Sequence, residues 1–576
     1  MRSRLYFQSV AISASLIILT FLTKGFHYLV IDDWQLRILI SGEPYFQPSE
    51  MIFPSFAFIH PVLWFFLNKL QITFKSIYVF DLFYLLAIFV NLTLIIFSIQ
   101  SKFKSKVITL TFSTFISLIS IRFISDFNFT QIAILFAMNS AIFFKRTNYI
   151  LAIVLLACST LFRPTATLLF SPLILLTIIF NLKNMNFKQV LSQLLFVIIF
   201  LATTLKLTTF KYDIDLNVFK PMGNISQFWK KVSESGDTGK SYSSLTRDEA
   251  NKVININRIY ETELIRNEVV TNIDKESLKF INDLSLIFSK RGGLARLFKT
   301  FQNIEIMPLV KNLKLAHTFL LYIFSFFIIL LLYISNKKLP YQLLALSMTF
   351  ILFKIFVIIY FKFLPWRLAY PLNIAYMGLF LNLCPKDLSQ NFSKKIQIIF
   401  VSLTFLISLR VGISLFNKTV DNCSEEYISS VQSDLSTLMK ENKTIFVHPE
   451  FGIGSMWWTV FKPFQTLNQR KDNFLFINWS HITKYQYKTL TLKKMTYNLR
   501  DNLLKKGVYL LASKEIAVTF HRYINKHEVV NLEEHKYKYF NLYSFHKSDS
   551  LKKEYYDNNF LENNDFGKFI MKYDLH

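Results

Sequence analysis

The chain has 576 residues, 52% of them hydrophobic, with a mean hydropathy of +0.33, which excludes an ordinary soluble enzyme. Its formal charge of +27 falls mainly in short loops between apolar runs and in long polar segments, which favours anionic lipid headgroups or phosphate-bearing substrates over nucleic acid. Three cysteines, Cys158, Cys384 and Cys423, lie far apart and suggest neither a disulfide framework nor a zinc site.

In chain order, the N-terminal Met1-Arg-Ser-Arg4 has the basic start of a secretory signal, but no small-residue cleavage site follows, so the next apolar run is read as a retained span. Candidate spans are Phe7 to Thr23, Ile77 to Ile99, Val107 to Phe123, Phe129 to Phe144, Tyr149 to Phe162, Thr165 to Phe180 and Val190 to Phe210. A second set follows at Ala316 to Ser335, Leu343 to Tyr360, Leu368 to Leu383 and Ile396 to Phe416. Such runs approach the roughly 20 residues that cross a bilayer, where only helices satisfy their own backbone. The expected fold is therefore an α-helical polytopic membrane protein with about eleven transmembrane helices, residues 1–416, followed by a soluble α/β domain, residues 417–576.

Basic residues predict the orientation. Arg2 and Arg4, then Lys102, Lys104 and Lys106, Lys145 and Arg146, Lys183 and Lys188, Lys337 and Lys338, and Lys386, Lys394 and Lys395 fall on one side. With that side cytoplasmic, three polar segments face outward: residues 24–76, 211–315 and 417–576. Within the first, Phe53 to Leu70 is apolar but interrupted by Pro54, His60 and Pro61, and is read as an interfacial helix with Trp64 and its phenylalanines facing lipid. The expected location is a bacterial inner membrane with the active site on the periplasmic face, in preference to the endoplasmic reticulum.

The outward residues that can carry chemistry begin with Asp32 and Asp33, an acidic pair directly after the first span. Such a pair near a membrane boundary is costly unless used. It can act as a general base on a sugar hydroxyl, bind a divalent cation, or cap an interfacial helix before Trp34. Arg122 with Asp126, Arg163 in Leu161-Phe-Arg-Pro-Thr-Ala166, and Arg367 in Leu364-Pro-Trp-Arg-Leu-Ala-Tyr-Pro371 fall at outer helix ends. Planar guanidinium groups there suit a lipid-linked phosphate, although any one of them can be a snorkelling anchor. Glu43 and Glu50 can hydrogen-bond sugar hydroxyls, or are solvated loop carboxylates; His60 before Pro61 can contact phosphate, or is structural. His448 to Trp458 is Gly-rich and aromatic and suits either an acceptor groove or a turn beside a buried tryptophan. Asn-X-Ser/Thr triplets at Asn128, Asn417 and Asn478 are expected by chance in an Asn-rich chain.

The order of a first span, an acidic pair, an interfacial helix and a large outer loop after the seventh span resembles the GT-C superfamily of lipid-phosphate-sugar glycosyltransferases. Within it, the chain is most similar to the α-mannosyltransferases of dolichol-linked glycan and GPI-anchor assembly. The likeness rests on Asp32-Asp33, on Glu50 and Ser55, on Phe162-Arg-Pro-Thr165, and on Trp366-Arg-Leu-Ala-Tyr-Pro371. It departs in lacking His-Pro before the acidic pair, in Ser49 where tryptophan is usual, and in Phe363-Leu-Pro-Trp366 before the late arginine. The resemblance covers about Met1 to Phe416 and implies an inverting transfer of a hexose, mannose first, from a polyprenyl-phosphate carrier to a lipid-linked glycan or other surface acceptor. It implies Asp32 or Asp33 as the base and Arg163 and Arg367 on the phosphate, with no required cofactor beyond a possible divalent cation. The alternatives are a surface-polysaccharide ligase or polymerase, or a polytopic transporter or flippase.

Overall fold

The computed structural model describes residues 2–28, 40, 59–74, 77–180, 186–208, 286, 318–336, 340–361, 366–386, 394–418, 443–447, 474–476, 493–495, 499–512, 514–525, 529–537 and 540–548. Twelve helices among them precede residue 419: α1 (Arg2–Lys24), α2 (Pro61–Thr73), α3 (Val79–Gln100), α4 (Lys106–Ser125), α5 (Phe129–Lys145), α6 (Tyr149–Phe162), α7 (Pro164–Ile179), α8 (Phe187–Thr208), α9 (Thr318–Asn336), α10 (Tyr341–Phe361), α11 (Trp366–Leu383) and α12 (Lys394–Lys418). A helix coincides with each of the eleven apolar runs. Five are long and apolar enough to cross a membrane, at Ser3–Thr23, Val79–Gln100, Lys106–Ser125, Tyr341–Ile358 and Ile396–Ser414, and six are shorter apolar helices. This is the character of a helical membrane protein.

Local chemistry sets the ends. The Asn128 carboxamide accepts the N–H of Thr130 at 2.9 Å and starts α5, Ser105 caps α4 through the N–H of Ile108, and Asn148 caps α6 through that of Leu151. Gly25, at φ 70°, donates its N–H to Phe21 O at 3.0 Å, the left-handed residue that closes α1 and turns the chain into strand β1 (His27–Tyr28). Pro164 holds Arg163 out of helical geometry and divides α6 from α7.

Helix α5 is enclosed on every face, with each residue from Phe129 to Phe144 buried. A Cβ at Gly378 of α11 would stand 2.6 Å from Met138 Sδ, so α11 lies close against α5. Polar side chains in this interior find partners across helices. Asn139 Nδ2 donates to Asn91 Oδ1 at 2.7 Å, Ser159 Oγ to Ala133 O at 2.7 Å, and Ser140 Oγ to Ala152 O at 2.7 Å. The Lys354 ammonium donates to Asn373 Oδ1 and lies over the Tyr322 ring.

At one end of the bundle, basic side chains meet helix C-termini, where carbonyls lack intrahelical partners and the macrodipole is negative. Lys145 Nζ donates to Phe180 O at 2.8 Å, Arg146 to Ser98 O, and Lys102 to Leu381 O and Asn382 O. Ser9 Oγ donates to Gln100 Oε1 at 3.0 Å and brings the start of α1 to the same end. Basic residues of alternate loops are thus gathered together in space.

The apolar segment around residues 53–70 differs from expectation. Helix α2 begins only at Pro61, because His60 Nδ1 accepts the Val62 N–H at 3.2 Å and Pro61 occupies the first helical position. It packs on α3 and α6, and Trp64, expected to face lipid, is 1% exposed, whereas Val62 and Phe66 are exposed.

Toward the C-terminus, β3 (Thr444–Val447), β4 (Phe474–Phe476), β5 (Val508–Leu511), β6 (Val530–Lys536) and β7 (Asn541–Lys547) form a sheet in the order β4-β3-β5-β7-β6. Strands β4, β3 and β5 are parallel, β7 runs antiparallel to β5, and β6 and β7 are antiparallel neighbours. Helices α13 (Leu499–Leu503) and α14 (Lys514–Asn525) accompany them, with α14 packed on β6 and β7.

Replacing Asn139 by leucine takes the donor from Asn91 Oδ1 in an apolar interior, while Asn91 Nδ2 keeps its bond to Ala87 O. Thermal unfolding in detergent is expected to show a loss of about 1–2 kcal/mol, part of which the Asn91→Leu/Asn139→Leu double variant recovers. An unchanged unfolding midpoint in Asn139→Leu would show that the pair contributes nothing.

Candidate functional site

At the opposite end of the bundle, the last turn of α4 carries Arg122 and ends at Asp126, one turn later on the same helix face. Arg122 Nε donates to Asp126 Oδ2 at 2.8 Å, and Nη1 donates to Tyr370 Oη of α11 at 2.8 Å. The guanidinium also lies over the Tyr370 ring, 4.5 Å from its centroid. Ser125 Oγ donates to the other oxygen, Asp126 Oδ1, at 3.1 Å. Asp126 is 1% exposed, so this ion pair is withdrawn from solvent.

Asp126 is also a strand residue. It begins β2 (Asp126–Phe127), which pairs in parallel with β1 in the register His27 with Asp126 and Tyr28 with Phe127. The chain leaving α1 is thereby fastened to the turn between α4 and α5. Aromatic rings fill the space around it: Phe26 meets Phe127 at 5.1 Å between centroids, and Tyr84 of α3 meets both Phe127 and Phe162.

Arg163 stands where α6 passes into α7. Its Nη1 donates to Thr130 Oγ1 at 2.5 Å, its Nε to Thr165 Oγ1 at 3.3 Å, and its guanidinium lies over the Phe129 ring. These hydroxyls and the ring face orient the guanidinium. At Arg122 a carboxylate stands among the partners.

His60 is joined to the same place by its backbone N–H, which donates to Leu161 O at 2.9 Å. Burial lowers the imidazole pKa from its ordinary value and keeps the ring neutral. Because Nδ1 accepts the Val62 N–H, the ring proton resides on Nε2.

Four of the sequence-predicted residues, Arg122, Asp126, Arg163 and His60, are therefore brought to one end of the bundle. Arg367 lies in the first turn of α11, one turn before Tyr370, and its side chain lies outside the described residues. Asp32, Asp33, Glu43 and Glu50 also lie outside them, as does the His448 to Trp458 stretch. Among the described residues, no three His, Cys, Asp or Glu side chains gather as metal ligands would. Sequence reading missed Tyr370 and Thr130, the partners of the two arginines. Tyr370 stands within the quoted Trp366 to Pro371 motif, and Thr130 within a triplet whose Asn128 is a helix cap.

The chain matches no protein-family model, no curated protein and no solved structure.

Removal of the Asp126 carboxylate takes an ion-pair partner from a largely buried guanidinium. Asp126→Ala is expected to cost about 3–5 kcal/mol in thermal unfolding, against about 1 kcal/mol for Tyr370→Phe, which loses one hydrogen bond but keeps the ring. A larger loss for Tyr370→Phe would place the principal restraint on the hydroxyl instead.

Proposed function

We infer that this protein is a multi-pass membrane glycosyltransferase that moves a hexose from a polyprenyl-phosphate carrier to a lipid-linked glycan or other surface acceptor on the non-cytoplasmic face. The observation that carries this reading is the gathering of Arg163 and the Arg122–Asp126 pair at the end of the bundle where the chain leaves α1 toward Asp32 and Asp33. Tyr28 is pinned in β1, and the four residues onward to Asp32 span at most about 14 Å of extended chain. That reach is what lets the reading assign the acidic pair and the arginines to one reaction.

The orientation follows from charge. Lys102, Lys145 and Arg146 occupy the other end, and the positive-inside rule assigns that end to the cytoplasm. The eleven apolar helices are then read as spans, the shorter ones sheltered by neighbours, with the C-terminal sheet on the outer side.

In the proposed reaction, Asp32 or Asp33 takes the proton of the acceptor hydroxyl as its oxygen bonds to the anomeric carbon. The bond from that carbon to the phosphate oxygen breaks, and the lipid phosphate leaves with its electron pair. Displacement from the opposite face inverts the anomeric configuration. Arg163 and Arg367 hold the departing phosphate and stabilise its growing charge. Arg122, neutralised by Asp126, orients the outer end of α11, which carries Arg367.

Transfer of radiolabelled mannose from a short-chain polyprenyl-phosphate-mannose to endogenous acceptors in membranes containing the protein tests this reading. Loss of incorporation by several orders of magnitude is expected in Asp32→Asn or Asp33→Asn, and by at least about tenfold in Arg163→Lys, which keeps charge but loses the planar fork. Absence of transfer by the wild type with any polyprenyl-phosphate sugar would contradict it.

A further inference from the structure

Among the described residues, ten buried side-chain atoms have no hydrogen-bond partner, and two of them, His60 Nε2 and Gln131 Oε1, belong to residues near Arg163 or its partner Thr130 in the backbone. Their exposures are 5% and 1%, so bulk solvent does not serve them. Polar atoms this deeply buried are almost always paired, and exceptions call for a role. His60 is bonded to Leu161, two residues before Arg163, and Gln131 follows Thr130, which accepts the Arg163 hydrogen bond. Ser159 Oγ, bonded to Ala133 O, ties the end of α6 to the start of α5 and keeps these groups in register.

The two nitrogens of His60 divide their work. Nδ1 is consumed as the N-cap of α2, a helix of 13 residues, and this fixes the proton on Nε2 as a donor. A structural cap needs nothing at Nε2, and an asparagine would cap as well. What the imidazole adds is an N–H at the positive end of a helix dipole. An anionic oxygen is the acceptor that such surroundings favour.

We propose that His60, through Nε2–H, binds a phosphate oxygen of a lipid-linked phosphate headgroup together with Arg163 at the N-terminus of α2. This rests on reading the site as one for a polyprenyl-phosphate donor. A neutral donor holds the phosphate oxygen without adding a third fixed charge, leaving the arginines to respond to the charge that develops on departure.

The test uses the full chain in nanodiscs, titrated separately with farnesyl phosphate, farnesol and inorganic phosphate. His60→Asn keeps an oxygen at the Nδ1 position for the cap and removes the Nε2 donor, whereas His60→Gln restores an N–H near Nε2. Wild type is expected to bind farnesyl phosphate more tightly than farnesol or inorganic phosphate. His60→Asn should weaken farnesyl phosphate about tenfold while leaving farnesol binding and the unfolding midpoint unchanged, and His60→Gln should recover most of the loss. Wild-type affinity in His60→Asn would overturn the assignment of His60 and leave the glycosyltransferase reading standing. Equal wild-type affinity for farnesyl phosphate and farnesol would overturn both. Inorganic phosphate binding as tightly as farnesyl phosphate, and weakened equally by His60→Asn, would overturn the lipid-headgroup assignment in favour of free phosphate.

Discussion

Asp126 carries three obligations at once, and the organisation of this end of the bundle depends on it. Its backbone follows the last residue of α4 and pairs with His27, and its carboxylate holds Arg122. A two-residue parallel ladder contributes little by itself and persists because buried backbone groups must be paired. The ion pair and the aromatic rings around Phe127 give it a rigid footing. Through Tyr370 the same interaction reaches α11, so the exit from α1, the α4–α5 turn and the first turns of α11 form one connected structure.

The two ends of the bundle use cations differently. At the end with Lys102, Lys145 and Arg146, the charges complete the unpaired carbonyls of helix C-termini, a structural task that also accounts for their gathering. At the other end, Arg122 meets a carboxylate and Arg163 meets hydroxyls and a ring.

Much of the helical layout was legible from hydropathy. Each apolar run became a helix because a backbone in apolar surroundings bonds to itself, and the ends shifted by a few residues where caps intervened, as at Tyr341–Phe361 against an expected Leu343 to Tyr360. Trp64 was misplaced because an apolar side chain facing lipid and one facing another helix look alike in sequence. The Arg122–Asp126 pair is a local i, i+4 relation and was readable. Tyr370, distant in sequence from Arg122, and the β1–β2 pairing, distant and only two residues long, leave no periodic signal. The tautomer of His60 needed the Val62 hydrogen bond, which only coordinates supply.

We propose above that a polyprenyl phosphate binds at the end that carries Arg163. Cross-linking with a photoactivatable polyprenyl phosphate in native membranes, followed by peptide mapping, tests it directly. Labelling of segments flanking Phe129 and Arg163, suppressed by excess unlabelled polyprenyl phosphate, is the result the account predicts. Suppressible labelling confined to segments around Lys102, Arg146 and Asn382 would place the lipid at the opposite end and contradict it.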